Sequence, residues 1–156
     1  MLPKYRPNVA VLITDGQGRV LLCYRNDGSH SRVQTVQGGI DPGETAEEAA
    51  IREIYEEIGL TAEDYRFVAA SEVKYRYDWP TKFLDHLKNT TFIGQEQQFF
   101  LIEVKSGVEF RLDTYDQEFE SVRWGTPQEL VDLAWDQKRP GLRGALTEFG
   151  LLTGNA

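Results

Sequence analysis

Residues 45–59 carry the strongest local instruction in the chain, a helix with both ends marked. Thr45 and Glu48 have capping-box spacing, so the threonine hydroxyl and the carboxylate three residues later satisfy amides that the first turn leaves open. Gly59 stands where a left-handed C-terminal cap belongs. Between them Ala50, Ile51, Ile54, Tyr55 and Ile58 recur at helical spacing and predict one apolar stripe. Glu53, Glu56 and Glu57 fall on a separate face. Ala46 and Ala49 share that face, and small neighbours there leave room for a ligand above the acids.

That acidic face works against the helix. Carboxylates in the last turn oppose the helix dipole, and Glu53 repels Glu57 across one turn by roughly 0.2–0.5 kcal/mol. The ordinary reading of such a run is a solvated surface, here partly neutralised by Arg52. The preceding segment argues for more. Gly38, Gly39, Pro42 and Gly43 predict a tight loop of exposed backbone delivered to the helix start, which suits a phosphate and metal site. All the donors are hard oxygens, which specifies Mg²⁺ or Mn²⁺, with more than one ion expected. The single cysteine, Cys23, and two histidines, His30 and His86, exclude an internal disulfide and a thiolate zinc cluster.

The rest of the chain reads as one domain, residues 1–156, of ordinary globular composition. Asn8–Thr14 and Arg19–Tyr24 are apolar runs around Asp15-Gly16-Gln17-Gly18 and predict two central strands paired as a hairpin. Further strands are expected at Val33–Val36, Arg66–Tyr77, Gln97–Val104 and Ser121–Trp124, with helices at Pro127–Asp136 and Leu142–Phe149. Strands mixed with helices in this way predict an α/β sandwich. No apolar run approaches the roughly 20 residues of a membrane span, so no membrane partner is expected and a cytoplasmic location is the default. With 17 Lys and Arg against 25 Asp and Glu, the net charge of −8 excludes a protein that grips long nucleic acid through phosphate neutralisation. Phosphates can still be held locally, by a small basic pocket or by metal ions on the carboxylates.

The run Gly38-Gly39-Ile40-Asp41-Pro42-Gly43-Glu44, then Arg52-Glu53-Ile54-Tyr55-Glu56-Glu57-Ile58-Gly59-Leu60, resembles a complete Nudix box, G-x5-E-x7-R-E-U-x-E-E-x-G-U with U aliphatic. The resemblance implies a divalent-metal pyrophosphohydrolase with an α/β/α sandwich around a mixed sheet. A second layer covers nearly the whole chain. Tyr5-Arg6-Pro7-Asn8-Val9, Gln37-Gly38-Gly39, Ile93-Gly94-Gln95 and Glu118-Phe119 are similar to the branch of RNA 5′-pyrophosphohydrolases and diadenosine polyphosphate hydrolases. Three positions at two sites depart from it. Val33 and Val36 stand where the branch has Trp and Pro, and Gln137 stands where the RNA enzyme has an aromatic before Lys138-Arg139. Trp135 or Tyr77 is then the candidate to stack on a base.

What the resemblance implies for the site is specific. Glu53, Glu56 and Glu57 are expected as metal ligands, with the Gly38 carbonyl beside them; Glu57 or Glu56 doubles as the base that deprotonates water. Arg52 orients the carboxylates through its planar fork and Glu44 ties the loop to the helix. Glu118 matches a downstream acid that completes the metal site or acts as base. Arg6, Arg25 and Lys74 are candidates for phosphate contacts, and Tyr77 and Gln95 for substrate binding. The expected substrate is 5′-triphosphorylated RNA, cut to the monophosphate; a dinucleoside polyphosphate is the alternative, and a non-catalytic binding module on the same fold a distant third. A homodimer is left open.

Overall fold

The computed structural model describes residues 4–29, 31–80 and 92–153; His30 and His86 lie outside them. Strand β1 (Lys4–Thr14) is apolar without alternation through Val9–Ile13 because both of its faces are covered. Val9, Val11 and Ile13 pack with Ala50, Ile54 and Ile58 of helix α1 (Ala46–Ile58). Ala10 and Leu12 pack on the other face with Leu130 and Val131 of α2 (Pro127–Leu133) and Leu142 and Leu146 of α3 (Arg139–Glu148). Two apolar layers on one sheet make an α/β/α sandwich, as expected.

The sheet is mixed and seven-stranded among the described residues. β1 runs parallel to β6 (Phe92–Val104), which pairs antiparallel with the edge strand β5 (Tyr65–Asp78). β2 (Val20–Arg25) pairs antiparallel with β7 (Phe119–Gly125). The expected hairpin of β1 and β2 is paired only beside its turn, Thr14 with Val20. Beyond it the strands part, and the segment from Val33 to Gly39 enters between them: β3 (Val33–Gln34) pairs with β2, and β4 (Val36–Gly39) pairs with β1. Each strand thereby satisfies its backbone groups with the intruding segment instead of with its hairpin partner. The opening lies at the end of the sheet that holds Arg6 and Arg25.

Four local expectations are corrected by this arrangement. Gly38 and Gly39 are strand residues, not loop, paired with Val9 and Asn8. The helix buries a face centred on Ala50, Ile54 and Glu57, so Ile51 and Tyr55, about 100° and 140° round from Ala50, remain 41% and 45% exposed. Ala49 is fully buried and Ala46 packs on the core, so neither leaves space above the acids. The helix expected over Pro127–Asp136 stops at Leu133, a 3₁₀ turn covers Asp136–Lys138, and α3 starts three residues early at Arg139, with Pro140 in its first turn.

Candidate active site

The capping box at Thr45 and the left-handed Gly59, φ 73°, delimit α1 where its sequence requires. This rigid element carries the acids to the mouth between β1 and β2. Arg52 organises them. Its Nε and Nη2 fork onto Glu44 at 2.8 and 2.9 Å, and Nη2 also donates to the Gly39 carbonyl at 2.9 Å. Its Nη1 donates to Glu53 at 2.6 Å and reaches Glu56 at 3.4 Å. Glu44 in turn accepts the Asp41 amide, so one guanidinium joins strand, loop and helix. Arg52 and the Asp41 amide hold the Glu44 carboxyl down at about 2.

Gly38 leaves room for a neighbouring side chain. A Cβ there would collide with the Glu53 carboxylate, and one on Gly39 would collide with the Arg6 guanidinium. The two glycines therefore let an acid and a base approach the same strand closely.

Glu57 points inward, against the expectation of a wholly separate acidic face, and is 5% exposed. Burial pushes its carboxyl well above the usual range, reinforced by a hydrogen bond and charge from Glu53 and by the charge of Glu118; the Gln37 amide opposes this. Its Oε1 is buried with no hydrogen-bond partner. Glu56 is also raised, by burial and then by Glu53, against the pull of Arg52.

Among the described residues no three His, Cys, Asp or Glu side chains form a ready-made metal cage. Arg52 holds Glu56 and one oxygen of Glu53, and Glu53 and Glu57 form a close pair. An orphaned, buried carboxylate oxygen beside a second carboxylate fits a hard divalent cation.

The cationic side faces this acid pair. Arg25, the last residue of β2, pairs with Asp27 at 2.9 Å, Gln34 at 3.1 Å and Glu118 at 3.4 Å. Glu118 immediately precedes β7, and its charge bears on both Glu57 and Lys138. Arg6 lies within β1, not before it. Arg6 and Arg25 both act electrostatically on Tyr77, whose hydroxyl accepts from Gln95 at 2.6 Å. Lys74 is not brought to this group: it is exposed on β5 and, three residues from Tyr77 on a regular stretch, projects from the opposite face of the strand. Trp135 is 41% exposed with the Arg32 guanidinium 5.7 Å from its ring centre.

Sequence reasoning missed Lys138. The 3₁₀ turn after α2 lays its ammonium 5.8 Å from the centre of the Tyr77 ring. Burial, then Arg25, push it down to about 8, while Glu57 and Glu118 oppose the shift. The pair Lys138-Arg139 was visible, but nothing in local spacing connects it to a helix some 80 residues away. Because only the ammonium form attracts phosphate, kcat/KM for a phosphorylated substrate should fall as pH rises through about 8. Lys138→Met should be weaker at low pH, flat on that limb and close to the unaltered chain at its upper end, and pH profiles of the two proteins between pH 6.5 and 9.5 check this.

The arrangement sets an oxygen-only acid pair opposite Arg25, Lys138 and Tyr77 across one opening. RNA pyrophosphohydrolases of Escherichia coli and Shigella boydii are each 38% identical over 147 residues, spanning 93% of this chain and 82% of those proteins. The solved E. coli dihydroneopterin triphosphate pyrophosphohydrolase has the same fold, with a TM-score of 0.74 at 22% identity over 93% of this chain and 96% of that one. A Caenorhabditis elegans Ap4A hydrolase superposes with a TM-score of 0.63 at 17% identity over 94% and 98%. The NUDIX domain itself matches residues 4–144, from the start of β1 into α3 and across the whole Gly38–Leu60 box. With a match of that extent, and the box folded into an acid cluster held by Arg52, the chain belongs to the NUDIX hydrolase family.

Proposed function

We propose that the chain is a metal-dependent RNA pyrophosphohydrolase, a single domain over residues 1–156 that converts the 5′-triphosphate end of RNA to a monophosphate. The observation that carries the reading is the juxtaposition of the Glu53–Glu57 pair with the cations Arg25 and Lys138. The 38% identity to RNA pyrophosphohydrolases supports the choice of substrate. A chain of charge −8 can serve such a substrate because only the terminus and the first nucleotides need be held.

Glu53 and Glu57, with the Gly38 carbonyl, are the residues that would hold a divalent cation, Mg²⁺ or Mn²⁺, with Glu118 and Glu56 available to a further one. Such cations supply charge stabilisation on the phosphoryl oxygens and lower the pKa of water. Glu56 is the base we favour. It is more open to solvent than Glu57, and burial raises it from the usual carboxylate range, which makes it the better base toward the attacking water. Arg25, Arg6 and Lys138 hold the polyphosphate, so the water oxygen meets phosphorus in line with the anhydride oxygen that leaves. Trp135 presents a stacking surface for the first base. Among the described residues no helix is long and apolar enough to cross a membrane.

Comparing kcat/KM for 5′-triphosphorylated RNA, diadenosine tetraphosphate, nucleotide sugars and nucleoside triphosphates tests the reading. Triphosphorylated RNA should rank first with Mg²⁺ present, and excess chelator should abolish turnover. A nucleotide sugar ranking first, or full turnover in chelator, would overturn it. Inhibition by RNA oligomers should gain little beyond a few nucleotides; a steep, salt-sensitive gain with each nucleotide would reveal a nucleic-acid groove.

A further inference from the structure

Four amides and a phenol form a continuous chain across four strands, beside the acids but apart from them. Gln97 on β6 donates Nε2 to Gln37 Oε1 on β4 at 2.9 Å and to Asn8 Oδ1 on β1 at 3.0 Å. Asn8 donates Nδ2 to Gln95 Oε1 at 2.7 Å, and Gln95 donates Nε2 to the Tyr77 hydroxyl at 2.6 Å. Asn8, Gln95 and Gln97 are 2%, 6% and 4% exposed. At that burial a broken link leaves an unsatisfied group costing roughly 1–3 kcal/mol, so the links must all point one way, and they run from Gln97 to Tyr77.

The direction matters at its end. A tyrosine hydroxyl has two lone pairs and one proton. Gln95 occupies one lone pair, and Trp79, whose indole can only donate, also favours the ionised phenol. Among the described residues the Tyr77 hydroxyl accepts from Gln95 and donates in none of the side-chain hydrogen bonds of this network. The groups around the phenol are cations: Arg25 and Arg6 by their effect on its ionisation, and Lys138 over its ring. An O–H that donates to none of the described residues, beside three cations, is the donor set of an anion site.

We propose that Asn8, Gln97 and Gln95 are positioning residues, an amide ladder of one polarity that holds the Tyr77 hydroxyl as a hydrogen-bond donor to a phosphate oxygen of the substrate. The ladder deepens the pyrophosphohydrolase reading and rests on it for the identity of the substrate. Were the ladder to run the other way, Gln95 Oε1 would take the phenolic proton and nothing would remain for a phosphate.

The test is calorimetric binding of inorganic tripolyphosphate with Mg²⁺ to the full chain and to Tyr77→Phe, Gln95→Met and the double variant. Melting curves and KM and kcat for triphosphorylated RNA accompany it. Tyr77→Phe should weaken tripolyphosphate about tenfold and Gln95→Met about fivefold. The double variant should be no weaker than Tyr77→Phe alone, because Gln95 acts through Tyr77. The corresponding losses should appear in KM more than in kcat. Losses that multiply in the double variant, or wild-type binding by Tyr77→Phe, overturn the proposal. Should Gln95→Met fail to fold, Asn8→Asp replaces it: its carboxylate accepts from both neighbouring amides, turns Gln95 Oε1 toward Tyr77 and should cost the same tenfold, whereas wild-type binding overturns the ladder. The expected binding pattern in a protein that hydrolyses no RNA would overturn the RNA reading and support the ladder.

Discussion

Glu57→Gln should lose at least about a hundredfold in kcat, because removing one ligand of a charge-stabilising cation forfeits several kcal/mol at the transition state. The same substitution should stabilise the metal-free protein. Glu57 is 5% exposed, its Oε1 is unpaired, and Glu53 lies against it, so the fold prefers the neutral carboxyl. The sign follows from proton counting. An acid raised in the folded state binds more protons folded than unfolded, so its contribution to stability is lost as pH rises from about 4.5 through the raised value. The melting temperature of metal-free Glu57→Gln should therefore exceed that of the unaltered chain, and the gap should widen between pH 5 and pH 7. Added Mg²⁺ should stabilise the unaltered chain by more than it stabilises the variant. Thermal melts at two pH values, with and without metal, and steady-state kinetics decide both parts. Retained kcat, or a melting temperature lower at every pH, would remove Glu57 from the site.

Arg52→Ala should damage stability and activity together. The guanidinium gives hydrogen bonds to Glu44, Gly39, Glu53 and Glu56 from a side chain 28% exposed. Its loss leaves Glu44 and Glu53, 16% and 12% exposed, as repelling carboxylates without a cationic partner. Breaking a fully buried pair costs about 3–5 kcal/mol, and partial exposure here reduces that to about 2 kcal/mol. The loop from Ile40 to Thr45 would then lose its tie to α1, and kcat should fall more than tenfold as the acids move. Arg52→Lys should recover little, because an ammonium cannot fork onto Glu44 while reaching Gly39 and Glu53. Denaturant melts and kcat measured on both variants check this. Full recovery by lysine would show that charge alone is needed there.

What was legible in the sequence was chemistry that acts within a turn or two of the chain. Thr45, Glu48 and Gly59 marked α1 because caps are satisfied by groups three or four residues away. The Gly38–Leu60 box identified the family because its spacings are those of one loop and one helix. The apolar runs of β1 and β2 gave the strands for the same reason, though their edges missed by a few residues.

Tertiary structure alone decided which groups meet. Glu57 reads as one of three equal glutamates along the helix, and only the sheet beneath Ala50 and Ile54 makes it a buried acid. Gly38 and Gly39 look like loop residues until β1 and β2 part and accept them as a strand. Lys138 and Tyr77, some 60 residues apart, meet because the turn after α2 lies against the end of β5. The amides of Asn8, Gln37, Gln95 and Gln97 form a ladder only once β1, β4 and β6 are adjacent. Burial and electrostatic coupling belong to elements brought together across the chain, so no spacing within one element encodes them.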